Sequence, residues 1–361
     1  MTNADPSIPL HVVTGFLGSG KTTLLQRLLK LPALAETAVI INEFGAIGLD
    51  HRLVRHVSER AIMIEGGCAC CNLRDDLRET VVRLLTRRKV GDVPPFKRII
   101  LETSGLADPA PILFTLESDY VLREYLRRGR VITTVDGVNG MVQLTDQPEA
   151  FKQVAVADTL VVTKGDIAEP ALMGKLRDRL ASLNPMALHL DALYDDIGAD
   201  LLTDAKRPLG AGRWQPLGKI VEGAEHTASG LHHGRAICSF TLTYDAPIDW
   251  TAFSIWLTML LSGRGGEVLR VKGILNVKGS PAPLVIQGVQ HIMHRPVHLD
   301  DWPDADRRSY IVFIVQDIEP SALKASLDCF LDLGQDLRRA YLDSNIAVHQ
   351  QFPTINGLQL P

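Results

Sequence analysis

Residues 15–22 read Gly15 Phe16 Leu17 Gly18 Ser19 Gly20 Lys21 Thr22, a complete GxxxxGK[ST] loop. It lies between an apolar run, Leu10 to Val13, and a helical stretch that carries Leu24, Leu25, Leu28 and Leu29 on one face. Little choice of fold remains for such a chain. A glycine-rich turn between a buried strand and a helix N-terminus lets successive backbone N–H groups surround phosphate oxygens without steric cost. Gly15, Gly18 and Gly20 permit that wrap, with Ser19 between them. Lys21 is expected to reach the β and γ phosphates as a point charge, and the Thr22 hydroxyl, followed by Thr23, to ligate Mg²⁺.

From Leu10 to about Leu190, Val- and Ile-rich runs alternate with helical patterns. Ala38 to Ile41, Ala61 to Ile64, Arg98 to Leu101, Val131 to Val135 and Thr159 to Val162 read as strands. This rhythm predicts an α/β fold, a buried parallel sheet flanked by helices. Leu77, Val81, Leu84 and Leu85 form a helical stripe, for which Asn72 is the expected N-cap. Between about Leu209 and Gly234 the pattern dissolves into Gly, Pro, Ala and His, as an inter-domain linker would. Beyond it, Cys238, Phe240, Leu242 and Tyr244 alternate with polar residues. Asp249 should then cap a helix bearing Phe253, Trp256, Leu257 and Leu260. Strands are expected at Val268 to Val277, Pro283 to Gln290 and Tyr310 to Val315, then a helix with Leu323, Leu327, Phe330 and Leu331. The reading is therefore a smaller C-terminal α+β domain.

The 361 residues suit about two domains. Thirty-eight basic against 42 acidic residues give no positive field to favour nucleic acid or an anionic membrane. The first residues lack a basic segment followed by an apolar stretch, and no apolar run is long enough for a membrane span, so a cytoplasmic protein is expected.

Two further elements lie on the first domain. The run Arg98 to Glu102 leads into Thr103 Ser104 Gly105. An acid followed three residues later by glycine suits a Mg²⁺ or attacking-water position, with the Gly105 amide sensing a γ-phosphate. Thr159 to Val162 leads into Thr163 Lys164 Gly165 Asp166, a variant of the guanine-reading NKxD element with Thr163 in place of Asn. A carboxylate at Asp166 can accept hydrogen bonds from N1–H and the exocyclic amine of guanine, whereas adenine offers an acceptor at N1. GTP is thus expected over ATP.

Three of the five cysteines fall within four residues, Cys68 Ala69 Cys70 Cys71. Adjacent cysteines rarely reach disulfide geometry, which leaves metal or redox chemistry. Thiolates favour zinc and other soft or borderline cations, and placement just before a helix N-terminus would lower their pKa. Glu43, in Asn42 Glu43 Phe44 Gly45, offers a fourth ligand. Asp50 follows it, in the stretch where a GTPase senses the γ-phosphate. Cys238 and Cys329 read as plain core residues.

Together Gly15 to Thr23, Asn42 to Gly45, Gly67 to Cys71, Glu102 to Pro109 and Thr163 to Asp166 resemble the CobW-like P-loop GTPases, relatives of the nickel-loading GTPases of urease and hydrogenase maturation. Arg270 Val271 Lys272 Gly273 and Gln287 Gly288 Val289 resemble the CobW C-terminal domain. The resemblance implies residues 1–208 as a P-loop GTPase domain, 209–234 as linker, 235–335 as the CobW-type domain and 336–361 as a tail. It implies a GTP-hydrolysing metallochaperone that carries Zn²⁺, or Co²⁺ in some branches, to a client apo-metalloprotein, and leaves room for a homo-oligomer. On that pattern Lys21 and Thr22 serve phosphate and Mg²⁺, Asp50 and Glu102 the switch and Mg²⁺ region, and Cys68, Cys70, Cys71 and Glu43 the transferred metal. Ala46 departs from the acid often found after NEFG, and His226, His232 and His233 stand where many members carry a long histidine tract. His291, His294 and His298 read as surface or core residues, not ligands. Two rival readings are a GTPase with a static structural metal, and a metal-buffering or thiol-switch binder with vestigial nucleotide binding.

Overall fold

The structure, a computed structural model, describes residues 8–41, 62–65, 69–195, 197–203, 227–232, 235–303 and 305–332. Seven strands form the first sheet: β1 (Ile8–Gly15), β2 (Thr37–Ile41), β3 (Ile62–Glu65), β4 (Arg98–Glu102), β5 (Leu126–Asp136), β6 (Thr159–Thr163) and β7 (Leu188–Asp191). They pair in parallel, in the order β3-β2-β4-β1-β5-β6-β7. Every residue of β2 and β6 is buried, as strands covered on both faces require.

The chain leaves β1 for one side of the sheet and later returns to the other, so the crevice at the carboxyl end of β1 is a topological switch point. Register aligns what meets there. Val13 lies opposite Glu102, Gly15 opposite Thr134, and Asp136 opposite Thr163. The ends of β1, β4, β5 and β6 therefore share one rim.

The second sheet is antiparallel. It runs β12 (Ile292–Met293), β11 (Leu284–Val289), β10 (Val268–Leu275), β14 (Ser309–Gln316), β9 (Arg235–Tyr244), β8 (Thr227–His232), with β13 (Val297–His298) paired to β11. The helix Trp250–Arg264 and a helix over 320–332 cover one face, where Phe240, Phe253, Trp256 and Phe313 pack together. Burial of each such ring is worth about 1.5–3 kcal/mol. Asp249 caps the first of these helices as expected, its carboxylate accepting from Thr251 N and Ala252 N at 3.0 and 3.1 Å.

The opposite face meets the first domain. Ile237, Leu269 and Ile314 pack with Phe151, Val154 and Leu176. In β10 the side chains alternate: Val271 faces the C-terminal core, while Arg270 and Lys272 cross to Asp158 of the first domain.

Three local expectations differ from the structure. The helix Ala69–Lys89 begins ahead of Asn72, so Asn72 is not its cap, and Cys70 and Cys71 lie in its first turn rather than before it. Thr227–His232, read as linker, is the edge strand β8, because backbone pairing with β9 overrides its Gly- and polar-rich composition. Cys329 is exposed, on the outer side of the helix over 320–332, whereas Cys238 packs beside the C-terminal core.

Candidate nucleotide and metal site

The loop after β1 takes the shape its glycines permit. Gly15 has φ 141°, and a Cβ there would sit 2.3 Å from Thr134 Oγ1 and 2.4 Å from Thr134 O, so no other residue fits. Gly18 and Gly20 also have positive φ, and Gly20 opens the helix Lys21–Leu29. Ser19 Oγ lies 2.7 Å from Thr134 Oγ1, pinning the loop to β5. Lys21 Nζ donates to Gly15 O at 2.9 Å and Phe16 O at 3.1 Å, and so stays at the loop.

Thr22 Oγ1 donates to Glu102 Oε1 at 2.8 Å. A hydroxyl from the first turn of the helix Lys21–Leu29 and a carboxylate from the end of β4, both hard oxygen donors, form the set that suits Mg²⁺. Thr23, one residue on, is exposed. After Glu102 the chain turns, with Ala107 N donating to Ser104 O at 3.0 Å. Gly105 lies against the phosphate loop: a Cβ would come within 2.8 Å of Leu17 N. The γ-sensing candidate and the loop are thus in backbone contact.

Thr163, the residue that departs from the NKxD pattern, is buried, and its single Oγ1–H is shared between Ser19 O at 2.8 Å, the closer partner, and Val135 O at 3.2 Å. One hydroxyl straps the base-reading turn to the phosphate loop. Lys164 adopts a left-handed φ of 58°, and its Nζ donates to Asp136 Oδ2 at 2.6 Å. Asp136 also accepts from Val138 N and Asn139 N through Oδ1. Burial pushes this carboxyl up, but the ammonium and amide donors outweigh it and hold it below the usual range. Asp166 is exposed at the tip of the turn, open to a ligand.

Lys21, Thr22, Glu102, Gly105, Thr163, Lys164 and Asp166 therefore gather along one rim of the sheet. Glu43, Asp50 and Cys68 lie outside the described residues, and Cys70 and Cys71 are placed by backbone alone. Among the described residues no cluster of His, Cys, Asp or Glu could hold a metal ion. His298 is exposed on β13. His294 is an interface residue: its Nδ1 lies 3.0 Å from Glu117 Oε1, and Arg128 Nη1 donates to its Nε2. Arginine can only donate, so Nε2 holds a lone pair and the ring is neutral. Burial and Arg128 lower its pKa to about 4.

Two residues of the rim were not legible as site residues. Asp136 ends a strand whose only sequence signal is apolar, and its carboxylate matters because β5 and β6 are neighbours. Gln153 is fully buried in the helix Pro148–Val156, and its Nε2 donates to Gly105 O at 3.1 Å and Ala107 O at 3.0 Å. A glutamine within an apolar helical pattern was the available signal.

Known proteins match nearly the whole chain. The family described as CobW/HypB/UreG, nucleotide-binding domain, matches residues 9–190, and the cobalamin synthesis protein cobW C-terminal domain matches residues 237–331. The zinc chaperone YjiA of Escherichia coli is 32% identical over 328 residues, covering 88% of this chain and 97% of that protein. The zinc chaperone CobW of Sinorhizobium sp is 28% identical over 353 residues, covering 89% and 96%. The crystal structure of Zn(II)-bound YjiA GTPase from E. coli superposes with a TM-score of 0.67 at 27% identity, covering 90% of this chain and 99% of that one. Among the described residues no helix is long and apolar enough to cross a membrane.

Proposed function

The chain belongs to the CobW/HypB/UreG nucleotide-binding family, and from that premise we propose that it hydrolyses GTP to GDP and phosphate and uses the cycle to pass zinc to a client apo-metalloprotein. We place the domain junction in 209–226, the part of the expected linker that precedes β8. The observation that carries the nucleotide half is the Thr163 strap: the base-reading turn and the phosphate loop are one hydrogen-bonded unit.

In this reading the phosphate-loop amides and Lys21 bind the β and γ phosphates, and Asp166 selects guanine by accepting from its N1–H and amine. Thr22 and Glu102 fit Mg²⁺ as hard oxygen donors, and the ion when bound supplies charge neutralisation at the phosphates. Gly105 presents its backbone N–H to the γ-phosphate, in a turn already seated on Leu17. Glu102 and Asp50 orient the attacking water and the switch stretch. The transferred zinc is assigned to Cys68, Cys70, Cys71 and Glu43. Thiolates in the first turn of the helix Ala69–Lys89 are favoured by the positive end of its dipole.

Phosphate release from GTP, measured with zinc and candidate apo-clients, tests the reading. Lys21→Ala should lower turnover about a hundredfold or more, by removing charge stabilisation of the transferring phosphoryl group. Turnover equal to that variant, under all metal and client conditions, would reduce the protein to a binder. Linkage adds a second demand, that zinc affinity differ between the GTP-analogue and GDP states. Equal affinities would uncouple the metal from the cycle.

A further inference from the structure

The helix Pro148–Val156 touches both the nucleotide rim and the C-terminal domain, and the residue on the rim side is Gln153. Its carboxamide faces two carbonyls, Gly105 O and Ala107 O, so the NH₂ group must point at them and the orientation of the amide is determined by its partners. Gln153 Oε1 points the other way and has no hydrogen-bond partner among the described residues. Gln153 lines a cavity of about 10 Å³ shared with Phe16 of the phosphate loop and Thr134 of β5. That is room for about one water molecule. Beside it, Lys152 Nζ reaches Asp108 Oδ2 at 3.0 Å, a second tie from the same helix to the segment after Glu102.

The residues that follow Gln153 in the last turn of this helix are held elsewhere. Val156 O accepts from Arg270 Nη1 of the C-terminal domain. Asn184 Nδ2 binds Val154 O, Ala155 O and Ala157 O, so the last turn of the helix is anchored as a block. Gln153 and Val156 are three residues apart, one helical turn, so a displacement at the Gln153 carboxamide has only that hydrogen-bonded turn to cross before it reaches Arg270.

We propose that Gln153 is a positioning residue for the nucleotide site: it holds the Gly105–Ala107 turn against the phosphate loop and ties that turn, through the helix Pro148–Val156, to Arg270 of the C-terminal domain. The inference deepens the guanine-nucleotide reading above and rests on it. When a γ-phosphate draws the Gly105 amide, the turn carries Gln153 with it, and the shift reaches β10 through Val156 and Arg270. Domain response to nucleotide then depends on two side-chain N–H groups.

The test uses the full chain with Mg²⁺ present. Dissociation constants for a non-hydrolysable GTP analogue and for GDP are measured by calorimetry for the natural sequence and for Gln153→Met, which keeps the volume and removes both donors. The ratio of the two constants is expected to shift toward unity by about tenfold, roughly what two neutral hydrogen bonds are worth. Hydrogen exchange over residues 268–275 should differ between the two nucleotides in the natural chain and become equal in the variant. An unchanged ratio, or equal weakening of both nucleotides, overturns the proposal, since a merely structural glutamine would do the latter. Should Gln153→Met fail to fold, Gln153→Asn, one methylene too short to span both carbonyls, is judged by the same ratio. Absence of any guanine-nucleotide binding in the natural chain would overturn the site reading itself. Normal binding and turnover with an unmoved ratio would remove Gln153 alone.

Discussion

The molecule holds two concentrations of charge, and they are built on opposite plans. Along the nucleotide rim the charge is graded from buried to wet: Glu102 and Asp136 are buried at strand ends, Lys164 pairs with Asp136 with about a third of its side chain exposed, and Asp166 projects from a turn tip. Where the domains meet, Asp158 is buried and ringed by Arg128, Arg270 and Lys272, with Val131 N donating to it as well. Burial alone would raise the Asp158 carboxyl, but the three cations hold it well below the ordinary range. Burial and the Arg270 charge lower the Lys272 ammonium to about 7. The outermost rim charges, Lys164 and Asp166, keep their water, whereas charges that only join two domains are satisfied within the protein, because a buried charge without a partner is costly.

The sharpest way to break this contrast is Asp158→Ala. It strands two buried arginines and a buried lysine, and is expected to cost about 3–5 kcal/mol of unfolding free energy. Denaturant titration measures it, and a loss under about 1 kcal/mol would mean that water reaches the interface and the two clusters are alike. Asp166→Ala on the wet rim should leave stability within about 0.5 kcal/mol, as surface changes do, while removing the preference for GTP over ATP.

Acidification sharpens the same contrast with a smaller effect. In the folded chain His294 has its pKa lowered to about 4, against 6.5 for a free imidazole. Between those values the unfolded chain binds the proton and the folded chain does not, so stability falls as pH drops through this window and levels off below it. The loss attributable to this residue is up to about 3 kcal/mol. His11, lowered to about 3 by burial and Arg127, and His189, lowered by burial, act in the same direction. His294→Gln isolates one contribution: the slope of unfolding free energy between pH 6.5 and 4 should flatten, and an unaltered slope assigns the effect to the other two.

How far each region could be read in advance follows from the range of the interactions. The phosphate loop, the strand rhythm and the Asp249 cap are local, settled within a few residues by glycine conformation, side-chain period and a nearby carboxylate. The interface is not local: Asp158 and Arg270 lie 112 residues apart and meet only because β10 packs on the end of the helix before β6. Arg270 and Lys272 read as ordinary alternating strand residues until that packing is known. Gln153 was hidden for the same reason, since its partners at Gly105 and Ala107 come from another crossover. The edge strand β8 shows the reverse failure, where weak local preference was overridden by pairing with β9.

Thr163→Val gives a smaller loss of stability than Asp158→Ala and the closest test of how the rim is assembled. Valine matches threonine in shape but donates no hydrogen bond, so Ser19 O and Val135 O each lose a partner beside a buried methyl. The one shared O–H donor is lost, and global stability should fall by about 1 kcal/mol. The more telling quantity is nucleotide release. If the strap makes the base-reading turn and the phosphate loop one unit, cutting it lets either half let go first, and GDP should dissociate about tenfold faster. Stopped-flow release of a fluorescent GDP measures that rate. Lowered stability with an unchanged release rate would show that the two halves of the site hold the nucleotide independently, with Ser19 Oγ on Thr134 sufficient to fix the loop.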